Sequence, residues 1–305
     1  MTAQTVPVVS DTKPARRGPG LKWGPIPWIA PAAAAIVAVF AYSMVQLVSG
    51  AFRYHDAWVG LENFRLVISD PLFRTAIAHN ALLLLAVPVL VVFALVVAIL
   101  LYETRRGLVA YRAIIFLPYI LPIPVIGVVL GQLLQLNGAL NGALDGLGLG
   151  ALTQDWLGDP RVALWSMAGV IVWKEVGFGI VLFLARMLSL PEDVYEAAKL
   201  DGAGPLRSHL HITLPQMSSI IVFYVISEAI VMVSWVFNYV YVMSNGQGGP
   251  GTATFVTELY IYRTAFQDRA PEIASAAAVL LFLSTLILVV GFFRVQRTGN
   301  GGFGA

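Results

Sequence analysis

Lys174, Glu175 and Glu228 are ionisable residues set inside long apolar runs, where charge is costly and marks a site of function by default. The chemistry open to them is pairing with one another or hydrogen bonding to a polar solute. Adjacent helical residues point about 100° apart, so Lys174 and Glu175 cannot both face one passage squarely. One could pair with Glu228 while the other meets water. The run that carries Glu228 also holds Trp235, Asn238 and Tyr239, and the spacing of Glu228, Trp235 and Tyr239 places these three near one helix face. Hydroxyl-rich solutes are held by hydrogen-bonding groups of this kind and by aromatic faces packed on C–H surfaces. The same residues also fit an interhelical ion-pair lock, with Trp235 and Tyr241 as interfacial anchors.

A second constellation is the polar segment 189–215, lodged between two apolar runs. Ser189-Leu-Pro-Glu192 has the form of a capping box, with Ser189 as N-cap and Glu192 three residues on. Pro191 would sit harmlessly in the first turn, and Glu192, Asp193 and Glu196 favour the start of a helix over 191–201. Gly202 then suits a left-handed C-cap, Pro205 opens a second helix, and Leu214-Pro215 closes the loop. Val194, Ala197, Ala198 and Leu200 give the first helix small apolar contact points. A helix resting on lipid headgroups would carry a Lys/Arg face, whereas this one starts acidic; the pattern points to docking of another protein.

Other chemistries are excluded or unsupported. The chain has no cysteine, which removes disulfides and thiolate sites. No G-x-x-x-x-G-K-[ST] loop is present, so the chain is not its own ATPase by that route. The histidines (His55, His79, His209, His211) are scattered, and His209 and His211, two apart, make a poor helical metal pair. No nucleophile–base pair or metal-ligand set falls within the apolar runs, so an intramembrane enzyme finds no support and no metal site is expected.

The elements that must position these groups are membrane helices. Of the 305 residues, 58% are hydrophobic and 12% charged, half the charged share of an ordinary soluble domain. A helix needs about 20 apolar residues to cross a hydrocarbon core of about 30 Å. Six runs qualify: 28–49, 76–102, 112–134, 162–184, 216–243 and 274–294. They are continuous rather than alternating, hence helices and not barrel strands. The first is too long for a signal-peptide core and follows a polar tail, so it is read as an uncleaved span. The domain reading is a disordered cytoplasmic tail 1–27, a six-span domain 28–296 with the loop 189–215, and a cytoplasmic tail 297–305. With the N-terminus inside, twelve of the nineteen basic residues fall on the cytoplasmic side, six outside, and Lys174 in a span. That bias places both termini and the 189–215 loop in the cytoplasm. Pro88, Pro118, Pro122 and Pro124 should kink the second and third runs. The outer segments 50–75, 135–161 and 244–273 carry turn formers (Asn137-Gly138, Asn141-Gly142, Gly248-Gly249-Pro250) and could be connectors or a landing surface.

Glu196-Ala197-Ala198, Gly202, Ile212, Leu214 and Pro215 stand in the pattern and spacing of the EAA loop, and the chain resembles the permeases of ABC importers. It is similar to the sugar-importing branch, the maltose and glycerol-3-phosphate type, through Gly60-Leu-Glu-Asn-Phe64, Phe116-Leu-Pro-Tyr119, Asp155-Trp-Leu-Gly-Asp-Pro160, Trp173-Lys-Glu-Val-Gly-Phe178 and Tyr260-Ile-Tyr262. It departs from that pattern where Gln247 interrupts the usual Asn-Gly-Gly-Pro and where Ser208-His-Leu-His211 replaces an aromatic-containing stretch. The resemblance implies an all-α, type I importer permease of six spans with a cytoplasmic coupling helix. It implies ATPase-coupling roles for Glu196, Ala197, Ala198, Asp201, Gly202, Ile212, Leu214 and Pro215. It further implies a cytoplasmic ATPase dimer that binds ATP and Mg, a second homologous permease, an external solute-binding protein, and no cofactor in this chain. Lys174, Glu175, Glu228, Trp235, Asn238 and Tyr239 are the expected solute pathway. The competing readings are an importer of another polar solute, such as a glycerophosphodiester, and a secondary carrier, which would need inverted repeats and its own coupling-ion site.

Overall fold

The computed structural model describes residues 26–55, 57–104 and 108–300. The expected disordered tail, with Lys13, Arg16, Arg17 and Lys22, lies outside the described residues except for its last two positions. So do Arg105, Arg106 and the end of the C-terminal tail. The described residues divide into two compact units between Gln46 and Leu47.

In chain order the elements are α1 (Ile26–Ala51), a hairpin of β1 (Arg53–Tyr54) and β2 (Ala57–Trp58), α2 (Glu62–Ser69), α3 (Pro71–Leu83), α4 (Ala86–Thr104), α5 (Leu108–Ile120), α6 (Ile123–Leu133), α7 (Ala139–Gly146) and α8 (Ala163–Leu188). There follow α9 (Glu192–Leu200), α10 (Pro205–Ser208), a π-turn over His209–Thr213, α11 (Leu214–Gln216), α12 (Ser218–Ser234), α13 (Phe237–Met243), α14 (Thr257–Tyr262) and α15 (Pro271–Asn300). Among the described residues, four stretches are long and apolar enough to cross a membrane: Trp28–Ala51, Pro71–Thr104, Ala163–Leu188 and Pro271–Arg294. Two bent pairs, Ala110–Ile120 with Ile123–Leu133 and Pro205–Gln216 with Ser218–Ser234, bring the number to six if each pair is one span.

The third run is more than kinked. It turns by 91° between α5 and α6. Pro122 takes an extended backbone (ψ 134°) and caps α6, while Pro118 is accommodated inside α5. A residue before proline is driven out of the helical region, and Leu121 stands before Pro122. The fifth run also breaks: α12 ends at Ser234, Trp235 adopts φ −138°, and α13 restarts at Phe237. A break in a buried helix frees backbone groups that must find other partners. Two side chains from other elements satisfy them. Asn80 of α3 donates to the carbonyls of Met232 (2.9 Å) and Val233 (3.3 Å), and its Oδ1 accepts from the Thr257 amide and hydroxyl at 2.9 Å each. Glu258 of α14 accepts from the Phe237 amide at 2.9 Å and so caps the restarted helix.

α8 is the most buried of the long helices and packs on α4, α5 and α12. Its glycines permit the close approach. A Cβ on Gly177 would lie 2.5 Å from the Ile115 carbonyl oxygen of α5, and one on Gly179 would lie 2.4 Å from the Tyr224 ring of α12. The connecting segments 50–75, 135–161 and 244–273 are more ordered than turn formers alone suggest. Asn141 lies inside α7, donates to the carbonyls of Leu136 and Gln154 at 2.8 Å each, and accepts from the Trp156 indole at 2.8 Å. Asp70 caps α3 through the Leu72 amide (2.8 Å), and its other oxygen accepts from the Tyr260 hydroxyl at 2.8 Å.

Burial drives the Glu258 carboxyl up to about 7, and the amides of Phe237 and Val236 only partly offset that. Its ordinary value is 4.5, so the folded state holds its proton more tightly than the unfolded one. The stability this contributes is complete below 4.5 and is lost as pH rises through about 7. In detergent, the unfolding midpoint should therefore fall between about pH 5 and about pH 8, and Glu258→Gln should flatten that slope while keeping the cap acceptor. A slope unchanged in the variant would assign it to other groups.

Candidate functional site

The 189–215 segment folds as the expected helical hairpin, with one correction at its start. Ser189 is not the N-cap of α9. Its hydroxyl donates to the Arg186 carbonyl (2.7 Å) and accepts from the Arg186 guanidinium (3.1 Å), so it finishes α8 instead. Pro191, in extended conformation with no side-chain cap, precedes α9. The local α8 bond wins because Ser189 is still within the last turn of the long helix. Arg186 also reaches the Gln216 carbonyl at 3.2 Å and so braces the base of the hairpin.

The far end of α9 closes as expected. Asp201 is the C-cap and Gly202 takes φ +77°. The Ala203 amide donates to the Ala198 carbonyl (2.9 Å) and the Gly202 amide to that of Lys199 (3.0 Å), the paired bonds of a Schellman motif. Pro205 stands in the first turn of α10. Among the coupling residues, Glu196, Ala197, Asp201, Gly202 and Pro215 are exposed, while Ala198, Ile212 and Leu214 are half-buried. Leu200 (89% exposed) and Leu206 (73%) flank the Gly202 turn. These two leucines leave apolar surface bare on either side of the capped turn.

The in-span residues separate into two groups. Lys174, Glu175, Glu228 and Tyr239 come together and are all buried. Lys174 Nζ lies 3.7 Å from Glu175 Oε1, donates to the Tyr119 carbonyl at 3.0 Å, and sits 4.9 Å from the centre of the Tyr119 ring. The Tyr239 hydroxyl donates to Glu175 Oε1 at 2.7 Å. Although they point apart along the helix, Lys174 and Glu175 meet through their flexible side chains, and neither is open to water. Glu228 Oε2 is buried without a hydrogen-bond partner. Trp235 and Asn238 are exposed instead. The break at Trp235 interrupts the helical phase, so the single face expected for Glu228, Trp235 and Tyr239 does not exist. Beyond the break, Phe237, Tyr241, Tyr262 and Phe266 form a continuous aromatic cluster with centroid spacings of 5.2–5.4 Å.

Several participants have no place in the reading from sequence. Asn80 and Glu258 hold the helix break, and Glu103 reaches the 189–215 segment through His209. Of these, Asn80 alone carries a signal, as an amide beside His79 near the start of an apolar run.

The model of the binding-protein-dependent transport system inner membrane component family matches residues 71–297. The diacetylchitobiose uptake system permease protein NgcF of Streptomyces coelicolor is 36% identical over 81% of this chain and 73% of its own length. The lactose transport system permease protein LacF of Rhizobium radiobacter is 27% identical over 77% and 79% respectively. In fold, the chain superposes on a crystal structure of a bacterial ABC transporter involved in alginate import, with a TM-score of 0.76 at 22% identity over 91% of this chain and 96% of that one. The chain belongs to the family of inner-membrane components of binding-protein-dependent transport systems.

Proposed function

We propose that the chain is the membrane-spanning permease subunit of an ATP-driven importer that moves a sugar or sugar-like solute inward by alternating access. Both termini and the α9–α10 hairpin face the cytoplasm, in keeping with the basic-residue bias. There the hairpin docks on an ATPase dimer, which binds ATP and Mg and performs the hydrolysis. A second homologous permease and an external solute-binding protein complete the assembly. The observation that carries this reading is the capped hairpin with Leu200 and Leu206 bare at its tip. A floppy loop would absorb a push; a helix closed by a Schellman turn keeps its register under load.

The cargo reading draws on the diacetylchitobiose and lactose relatives. The solute pathway is assigned to Lys174, Glu175, Glu228, Trp235, Asn238 and Tyr239. Transporters build solute sites at helix breaks, and Trp235 and Asn238 are exposed at one. Glu228 adds a buried acceptor oxygen with no partner of its own.

Reconstitution in vesicles with its partner ATPase, second permease and binding protein tests the proposal. Uptake of labelled oligosaccharides should require ATP and the loaded binding protein. Uptake driven by an ion gradient without the ATPase would make the chain a secondary carrier. ATP-driven uptake of a glycerophosphodiester and no sugar would keep the mechanism and replace the cargo.

A further inference from the structure

We infer that Tyr195, Thr213, His209 and Glu103 form a strut that makes the coupling helix α9 and the second span, α4, move as one body. The Tyr195 hydroxyl of α9 lies 2.9 Å from Thr213 Oγ1, and Thr213 Oγ1 lies 3.1 Å from His209 Nδ1. His209 Nε2 lies 2.9 Å from Glu103 Oε1 in the last turn of α4. His209 is 5% exposed and Thr213 0%. Tyr102 packs beside both ends, its ring centre 6.1 Å from that of Tyr195 and 6.3 Å, edge-on, from that of His209. The donors can all run one way: Tyr195 O–H to Thr213, Thr213 O–H to His209 Nδ1, and His209 Nε2–H to Glu103. A neutral imidazole thus satisfies every group in the chain of bonds.

The position of these bonds gives them a mechanical meaning. α9 joins α8 through the extended Pro191, and the return limb bends by 71° before α12. Both covalent routes out of the hairpin therefore turn before they reach a span, and although Arg186 braces their base through Gln216, a push on α9 has no straight path along the backbone. The hydrogen-bonded route bypasses them. It crosses 106 residues of sequence to α4, which packs directly on α8 and α12. The π-turn over His209–Thr213 sets both side chains at the junction, a use typical of such turns. The strut rests on the docking reading above, and the tests below separate the two.

In the assembled complex, Thr213→Val removes only the hydroxyl from a buried site. Solute carried per ATP should fall about fivefold, the cost of one lost buried hydrogen bond, while the ATPase co-purifies undiminished. Tyr195→Phe should act alike, the two together should be no worse than either alone, and Thr213→Ser should restore coupling. Because the chain has no cysteine, Glu103→Cys with His209→Cys can be bridged by a short bifunctional thiol reagent. Bridging should raise solute carried per ATP above the unbridged double variant. Wild-type coupling in Thr213→Val, multiplying effects in the double variant, or uptake arrested by the bridge would each overturn the strut. Loss of ATPase co-purification in Thr213→Val would also overturn it, by making these residues part of the docking surface. If the wild-type chain itself fails to retain the ATPase, the docking reading falls instead.

Discussion

Gly202→Val should abolish ATP-driven uptake while leaving the chain folded in the membrane. Gly202 holds φ +77°, and an L residue there costs about 1–2 kcal/mol, more if β-branched, which is about 5- to 30-fold in the population of the turn. Within the chain that backbone cost is the whole cost, because a Cβ at Gly202 meets nothing within 4 Å. The substitution opens the Schellman turn, frees α10 from α9, and disperses the Leu200–Leu206 tip. Gly202→Asn separates two causes, since asparagine tolerates the left-handed region. If only the turn matters, Gly202→Asn will bind the ATPase like the wild type. If the partner's backbone lies against Gly202, the asparagine side chain will weaken association although the hairpin is intact. Glu196→Lys reverses an exposed charge on the same hairpin and should weaken association without touching the turn. Co-purification of the ATPase and vesicle uptake read all three. Full uptake in both Gly202→Val and Glu196→Lys would mean that the hairpin is not the coupling element.

How much of this was legible in the sequence follows from the range of the forces concerned. The apolar runs were readable because spanning a membrane is a matter of length and composition, and Gly202 because a C-cap is a local event. The break at Pro122 was readable as a break, since proline acts on its immediate neighbours. Its 91° angle was not, because the angle is set by what α6 packs against, chiefly α13. Ser189 shows the limit even of local reading: capping α9 and closing α8 use the same hydroxyl, and only the path of the chain decides between them. The pairing of His209 with Glu103 had no local trace at all. The replacement of an aromatic-containing stretch by Ser208-His-Leu-His211 marked the place, but its partner stands 106 residues earlier. The break at Trp235 was likewise hidden, because the groups that stabilise it, Asn80 and Glu258, come from other helices.

Lys174→Met and Glu175→Gln, each alone, should destabilise the chain, while together they should restore its stability without restoring uptake. Breaking a buried pair by removing one member costs about 3–5 kcal/mol, because the other charge is left alone in a medium that cannot solvate it. Replacing both members with neutral residues of similar volume is near neutral or stabilising, so the double variant should recover its unfolding midpoint in detergent. The side-chain amide that Glu175→Gln introduces could still accept from the Tyr239 hydroxyl, which keeps α13 tied to α8. Uptake is the discriminating measurement. A pure lock would need only Lys174 and Glu175, yet the Glu228 carboxyl is buried close to both, and one of its oxygens has no partner. That surplus acceptor is unexplained by packing and suits a group that meets a hydroxyl-rich solute when the spans rearrange. The stable double variant should therefore carry solute at least about tenfold more slowly, the effect of some 1.4 kcal/mol in solute contact. If uptake returns together with stability, Lys174 and Glu175 hold the helices and nothing more, and the search for the solute moves to Glu228, Trp235 and Asn238.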